Sequence, residues 1–344
     1  LATLKDIAEK VGVSISTVSR VINNDTSRSV SEETRDKIWD EARKLGYQPN
    51  AWAQKLAKGL KSEPSRAGKV GCIVSVPHAK FSYPYFSEVL KGIEQGLNER
   101  HVHLSFVHTL DEFHDPKILQ NVLVKGQVDG LIVLGGIPHE VYQLVKAKVQ
   151  TLIGIDVNDH SVTTVQIDRF EASKAAVKHL ITKGHTRIGF IGGVGLARDL
   201  SKEKRFRGYK YAMTEAGLDI NPDWILDADW QIETSYQLMT ELIAANRDRN
   251  NLPTAMFVAS DVMAIAAIRA ASEQGLRIPH DLAIFGFDNI DVSQYTEPSL
   301  STVHIPKFEI GHTAASMLID RMEGKYPKPM KILLPFELIP RQSS

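Results

Sequence analysis

Residues 1–24, LATLKDIAEKVGVSISTVSRVINN, read as two short helices broken by a three-residue turn. Thr3 can cap the first helix, with Asp6 three positions on. Leu4, Ile7, Ala8 and Val11 then fall on one helical stripe. Gly12 stops that helix as a left-handed residue would, Val13 fills the turn, and Ser14 caps the next helix. The pattern sends Ile15, Val18, Val21 and Ile22 inward and Ser16, Thr17, Ser19, Arg20 and Asn23 outward. A third helix begins at Ser31-Glu32-Glu33-Thr34 and runs through Ile38, Ala42 and Leu45 to Gly46. Helices separated by Gly-Val-Ser have helix-turn-helix geometry, and the second would enter the major groove with its N-terminal residues on base edges. Small hydroxyls suit phosphates, and Arg20 can reach guanine O6/N7. The same spacing also fits a plain three-helix bundle with a solvated polar face.

Charge distribution supports a nucleic-acid partner for this head. The 344 residues carry 41 Lys+Arg and 41 Asp+Glu, a net of zero. Residues 1–69 hold 13 basic against 9 acidic side chains, and the remaining 275 hold 28 against 32. A basic head on an acidic body is what phosphate contact requires. Length implies two or three domains. One cysteine, Cys72, leaves no internal disulfide and no Cys-based zinc site, which fits a reducing compartment. The charged and polar first ten positions are not expected to be a signal peptide, and no apolar run of about 18 residues exists to span a membrane. A cytoplasmic, nucleoid-associated bacterial protein with no membrane partner is expected.

The string Asp6-Ile7-Ala8 … Gly12-Val13-Ser14 … Thr17-Val18-Ser19-Arg20 … Asn23, followed by Gly46-Tyr47-x-Pro49-Asn50, resembles the DNA-binding head of the lactose/galactose-repressor (LacI) family. The resemblance covers the head and, more loosely, the whole chain. It implies that Ile15, Ser16 and Arg20 read bases. It implies that Thr3, Ser14, Thr17, Ser19, Asn23 and Thr34 contact the DNA backbone. The loop 24–30 looks about two residues longer than in the shorter members, which leaves contacts from Arg28 and Ser29 open.

After the head (1–48), residues 49–69 form a hinge and linker. Asn50 can cap and Gly59 can end a two-turn helix, which is marginal on its own in water. By the resemblance it folds on operator DNA paired with its twin. Leu56 then wedges into the minor groove and small Ala53 and Ala57 allow close approach. Read without the resemblance, the segment is a flexible linker, and 58–68 has that composition.

From Val70 onward, short apolar runs alternate with helical stretches. Strands are expected at 70–76, 104–110, 130–135, 151–156, 163–168, 187–193, 254–260, 282–288, 301–305 and 332–338. Runs apolar on both faces and linked by helices mean parallel sheets covered on both sides, and there are too many strands for one sheet. The fold class expected is an all-α helix-turn-helix head plus a periplasmic-binding-protein-like α/β core of two doubly wound lobes. The last part of that statement, with three crossovers between lobes, is what the resemblance implies. The lobes are expected at 70–166 plus 294–325 and at 167–293 plus 326–344.

Ligands bind outside the carboxyl ends of parallel strands. The residues there are Tyr83, Tyr85 and Phe86, then Asp156, Arg205, Trp230, Ser260-Asp261 and Asp288-Asn289. Charged groups that engage vicinal hydroxyls, with aromatic faces against C–H surfaces, make a sugar site. The resemblance carries Arg205, the first Arg of R-x-x-G-aromatic, over as a hydroxyl clamp, and it matches Asp261 and Asp288 to two further family segments. Trp230 sits where galactoside-responsive members carry a stacking tryptophan. Ser260 departs from the Asn those members often have.

Two rivals fit less well. Gly192-Gly193-Val194-Gly195 after a strand invites a dinucleotide fold, but Arg198 stands where the third glycine belongs. A P-loop and a G-x-S-x-G elbow are absent. His101, His103, His108 and His114 match no metal spacing, so no metal, cofactor or catalytic residue is expected. A bare sugar-binding transport protein would need no head. The reading is a homodimeric repressor of sugar-utilisation genes on a palindromic operator. A small carbohydrate effector, galactose or a galactoside, bound between the lobes releases it. A corepressor-dependent regulator taking a purine or phosphosugar, or a sugar-binding protein that does not bind DNA, is the alternative.

Overall fold

The computed structural model describes residues 4–22, 30–44, 68–75, 83–113, 128–195, 198–246 and 251–344. The chain divides into two compact units, Leu1–Arg66 and Ala67–Ser344.

In the first unit α1 (Leu4–Val11), α2 (Ile15–Ile22) and α3 (Glu32–Lys44) pack on one another. Ile7, Ala8, Val18, Val21 and Ile38 form its core, with Val11, Val13 and Val30 against them. Gly12 has φ +75°, and the N–H groups of Gly12 and Val13 both return to the Ala8 carbonyl, at 3.0 and 3.1 Å. A left-handed residue closing a helix in this way is the glycine cap read from the sequence.

The second unit holds two parallel sheets. The first runs β11-β5-β4-β3-β1-β2, from β1 (Val70–Val74), β2 (Leu104–Thr109), β3 (Gly130–Leu134), β4 (Thr151–Ile155), β5 (Thr163–Ile167) and β11 (Lys331–Leu334). The second runs β7-β6-β8-β9, from β6 (Ile188–Gly192), β7 (Ile225–Asp227), β8 (Ala255–Val258) and β9 (Ala283–Phe285). All neighbours in both sheets are parallel. The strand β10 (Thr302–His304) pairs antiparallel with β12 (Glu337–Ile339). Side chains of β3 alternate between two apolar layers, Ile132 and Leu134 on one face, Leu131 and Val133 on the other. That double burial is why the strands read as continuous apolar runs.

Helices α4 (Pro84–Glu99), α5 (Leu110–Phe113) and α6 (His139–Lys148) follow β1, β2 and β3. In the second lobe come α7 (Arg169–Thr182), α8 (Lys204–Glu215), α9 (Ile232–Ala245) and α10 (Asp261–Glu273), and α11 (Lys307–Met322) returns to the first sheet. A Cβ at Gly92 would collide with the Phe308 carbonyl and one at Gly311 with the Val89 carbonyl, so α4 and α11 touch backbone to backbone. No helix among the described residues is long and apolar enough to cross a membrane.

The lobe boundaries depart from expectation in two places. Residues 301–304, expected with the first lobe, lie beside β9: Phe285 bridges Ser301 and Asp288 bridges His304. Residues 331–334, expected with the second, pair with β5 of the first sheet. The run 332–338 breaks at Pro335 because a ladder position needs an N–H that proline lacks. The third crossover therefore falls within that run, and not before it. The strand β7 has only three residues and went unread.

Candidate functional site

In the first unit, Ser14 caps α2: its Oγ accepts the Thr17 N–H at 3.1 Å and meets the Thr17 hydroxyl at 2.8 Å. Ser31 does the same for α3, accepting the Thr34 N–H at 3.3 Å with Thr34 Oγ1 at 2.8 Å. Ser14, Thr17 and Thr34 thus have local roles beside any contact with DNA. Ile15 corrects the inward reading. It is 49% exposed, because the first residue of α2 lies beyond the edge of the three-helix core. Ile15 held in solvent and half-exposed Arg20 give α2 side chains free to make a contact surface. Ser16 and Ser19 lie on α2, with side chains outside the described set. Thr3, Asn23, Asn50, Ala53, Leu56 and Ala57 lie outside the described residues.

In the second unit, the carboxyl ends of the strands present a polar cluster. Asp156 follows β4 in a left-handed conformation, φ +57°. Its carboxylate accepts the Tyr85 hydroxyl at 2.7 Å and takes Arg169 through Nη2 at 2.6 Å and Nε at 3.2 Å. Arg169 Nη2 also reaches the Tyr85 oxygen at 3.0 Å, closing the triangle. Burial works against charge on Asp156, yet Arg169 and the Tyr85 hydrogen bond outweigh it and hold the carboxyl below its ordinary range. Tyr85 is pushed well up, by burial first and then by the neighbouring carboxylate. Phe86 meets the Tyr85 ring edge-to-face at 5.2 Å, and Tyr83, at the N-terminus of α4, meets Phe86 edge-to-face at 6.4 Å.

Arg205 sits in the first turn of α8. Its Nε donates to Glu203 Oε1 at 2.9 Å and its Nη1 to the Ala259 carbonyl at 3.1 Å. Its guanidinium lies 4.2 Å over the Trp230 ring and 5.5 Å from Phe287. Trp230 holds φ +62°, and a Cβ at Gly193 would come within 2.6–2.7 Å of its backbone N and indole ring. Gly193 and Gly195 therefore make room for Trp230 and Gly192 for the Phe190 ring, which accounts for the motif that resembled a nucleotide loop.

Asp288 follows β9 with φ +111° and is 8% exposed. Its carbonyl takes the Lys307 ammonium, while no donor among the described residues hydrogen-bonds its carboxylate. Burial pushes that carboxyl up to about 6, although Arg169, Arg205 and Lys307 pull the other way. Asp261, expected in the ligand site, is fully buried and internally committed. Oδ1 accepts the Thr302 hydroxyl at 2.6 Å and Oδ2 the Ile290 N–H at 2.9 Å. It pins the loop that carries Asp288, and burial with the nearby Asp288 charge pushes it up to about 8. Ser260 Oγ faces the Met263 N–H at 3.5 Å and caps α10.

The structure thus brings Tyr85, Asp156, Arg205, Trp230 and Asp288 to one region, with Phe86 behind and Tyr83 at the margin. Sequence reading missed Arg169, Glu203, Phe287 and Lys307. Arg169 was findable, since it follows β5 as Asp156 follows β4. Among the described residues no group of three or more His, Cys, Asp or Glu could hold a metal ion.

Comparison with known proteins agrees with both halves. Residues 3–50 match the family "Bacterial regulatory proteins, lacI family", and residues 177–344 match "Periplasmic binding protein-like domain". The HTH-type transcriptional repressor PurR of Pasteurella multocida (strain Pm70) is 34% identical over 347 residues, covering 100% of this chain and 98% of that protein. PurR of Aliivibrio fischeri (strain ATCC 700601 / ES114) is 33% identical over 329 residues, covering 94% and 93%. Among solved structures, the cellobiose complex of the transcriptional regulator CelR matches with TM-score 0.71 and 27% identity over 100% of both chains. The Lac repressor dimer bound to operator and the anti-inducer ONPF matches with TM-score 0.69 and 26% identity, covering 99% and 98%. With a helix-turn-helix head, a two-lobed parallel-sheet core and full-length relatives above 30% identity, the chain belongs to the lacI family of DNA-binding bacterial transcriptional repressors.

Proposed function

We propose that this repressor acts as a homodimer on a palindromic operator and that a small polyhydroxylated sugar in the interlobe region controls its release. The single observation that carries the sugar reading is the alternation of acid and base around an aromatic face. Arg169, paired with Asp156, and Arg205 both lie over the Phe287 ring, Arg205 lies over Trp230 as well, and the Asp288 carboxyl feels the charge of both guanidiniums. A vicinal diol both donates and accepts, so it matches carboxylate beside guanidinium, and its C–H face suits indole. A galactoside is the specific form of this reading. It rests on Trp230 alone, and the full-length relatives add nothing to it.

A second reading has its own observation: those relatives are designated PurR, which points to a purine and to corepression. Against it stands the guanidinium of Arg205 over Trp230, where a flat base would seek a second aromatic face. Either ligand must bind the two lobe geometries unequally, and coupling of this kind amounts to roughly 1–3 kcal/mol. The test is calorimetric titration of the purified chain with galactose, lactose, cellobiose, hypoxanthine and guanine, followed by operator gel shifts with whichever binds. Binding of a sugar that weakens the operator complex supports the proposal. Binding of a purine that strengthens it replaces the sugar with a corepressor.

A further inference from the structure

A second polar recess lies where β5 passes into α7. It encloses about 200 Å³ and is lined by residues 166–170, Arg169 among them, with Lys204, Arg207 and Lys331. Apart from Arg169, its three basic side chains come from two places that the fold alone brings together. Lys204 and Arg207 stand one turn apart on α8, in the second lobe, and Lys331 opens β11 at the edge of the first sheet.

The charge here is not balanced. Asp168 is the one acid in the lining, and its Oδ1 already accepts the N–H groups of Phe170 and Glu171 at 3.1 and 3.2 Å as the cap of α7. Arg169 is neutralised on the other side by Asp156. The side chain of Lys204 has one long hydrogen bond, to Gln166 Oε1 at 3.5 Å, and among the described residues Arg207 and Lys331 have no ion-pair partner. Burial holds the Lys204 ammonium below its ordinary value, and the charges of Arg169 and Lys331 add to that while Asp156 and Asp168 oppose it. The fourteen-residue helix α7 adds its positive end.

We propose that this recess is an anion site for a phosphate monoester, separate from the sugar site, whose bound phosphate ties Lys331 to Lys204 and Arg207. Three donors from two lobes match three phosphate oxygens, and one dianion cancels the surplus charge. The recess borders one lobe crossover, Ile167–Asp168, and takes Lys331 from the strand that runs into another. An anion clamped there restrains the lobe movement on which operator release depends.

The experiment is calorimetric titration of the full chain with glucose 6-phosphate and with inorganic phosphate, beside an R207Q/K331Q double variant and R205A. Both substituted residues of the double variant are exposed, so the fold is expected to be kept. The expected result is binding of the monoester by the parent chain, at least tenfold weaker in R207Q/K331Q and unchanged in R205A. Sugar binding, if the ligand proposed above is correct, shows the opposite pattern, so the two readings fail separately. Equal binding by the double variant overturns the site. So does loss in R205A alone, which moves the anion to the sugar site, and so does no binding of glucose 6-phosphate by the parent chain. Binding of inorganic phosphate without the ester overturns the monoester assignment.

Discussion

Arg169 and Asp156 meet through two contacts, Nη2 to Oδ2 at 2.6 Å and Nε to Oδ1 at 3.2 Å, and both side chains are nearly buried. They leave neighbouring parallel strands of the first sheet, β4 and β5, so the pair locks the ends of those strands to α4 through Tyr85. Removing one member leaves a nearly buried charge without its partner. Arg169→Ala is expected to lower unfolding stability by about 3–5 kcal/mol. The double variant D156N/R169A is expected to lose less than the two single losses added together. Urea denaturation of the four proteins measures this; a loss in R169A below roughly 1 kcal/mol would mean the pair is no more than a surface ion pair.

Asp261 gives stability a pH dependence of defined sign. Its ordinary value is 3.8 and in the fold it sits near 8, so between those values the folded chain holds a proton the unfolded chain has released. Stability therefore falls as pH rises through that window. Asp261→Asn keeps the shape, offers its oxygen to the Ile290 N–H and its amide to the Thr302 hydroxyl, and cannot ionise. Thermal unfolding of parent and D261N from pH 5 to 8 is expected to show a falling profile for the first and a flatter one for the second. Parallel profiles would remove Asp261 as the source.

Much of this was legible in residues 1–48 because local rules decide a small helical head. Gly12 at positive φ, Ser14 and Ser31 as caps, and the Ile7–Val18–Ile38 core all follow from spacing. Ile15 misled because helical periodicity cannot tell where a stripe runs off the end of the core. In the larger unit, strand positions were legible and lobe membership was not. Strand β11 looks no different in sequence whichever sheet it joins, since its pairing with β5 is set by residues far away in the chain. Asp261 and Asp288 look alike as acids after strands. Only packing shows that Thr302 and Ile290 consume one and leave the other with an unpartnered carboxylate.

Gly12 offers a clean conformational test. It sits at φ +75° with nothing within 4 Å of the position a Cβ would take, so substitution costs backbone strain and no clash. Gly12→Ala is expected to cost the head about 1–2 kcal/mol. Helical circular dichroism on heating should show the head melting earlier while the larger unit's transition stays in place. An unchanged head transition would place Gly12 outside the left-handed region.

Arg20 and Ile15 test the outer face of α2. Arg20→Ala is expected to weaken operator binding by about 1–3 kcal/mol, the range for one guanidinium on a guanine. Each 1.4 kcal/mol is a factor of about ten in affinity. Ile15→Ala is expected to relax sequence preference at one position of the half-site. Binding to unrelated DNA, which depends on phosphate contacts, should change far less in either variant. Gel shifts on operator and on scrambled duplex at fixed salt read this, and an equal loss on both duplexes would make Arg20 a phosphate contact.

Asp288 links ligand binding to acidity. Its carboxylate is the one acceptor in the cluster with no donor among the described residues, and burial raises it to about 6. A hydroxyl that donates to Asp288 needs the ionised form. Affinity for the sugar is therefore expected to rise as pH increases from 5 to 7, with the midpoint near 6, while Asp288→Asn binds more weakly at pH 7 and shows little change with pH. Asp156 provides the internal control, because Arg169 holds it ionised throughout that range. Titration of parent and D288N at several pH values decides it. A parent profile that is flat from 5 to 7 would mean that the ligand reaches the cluster without using this carboxylate.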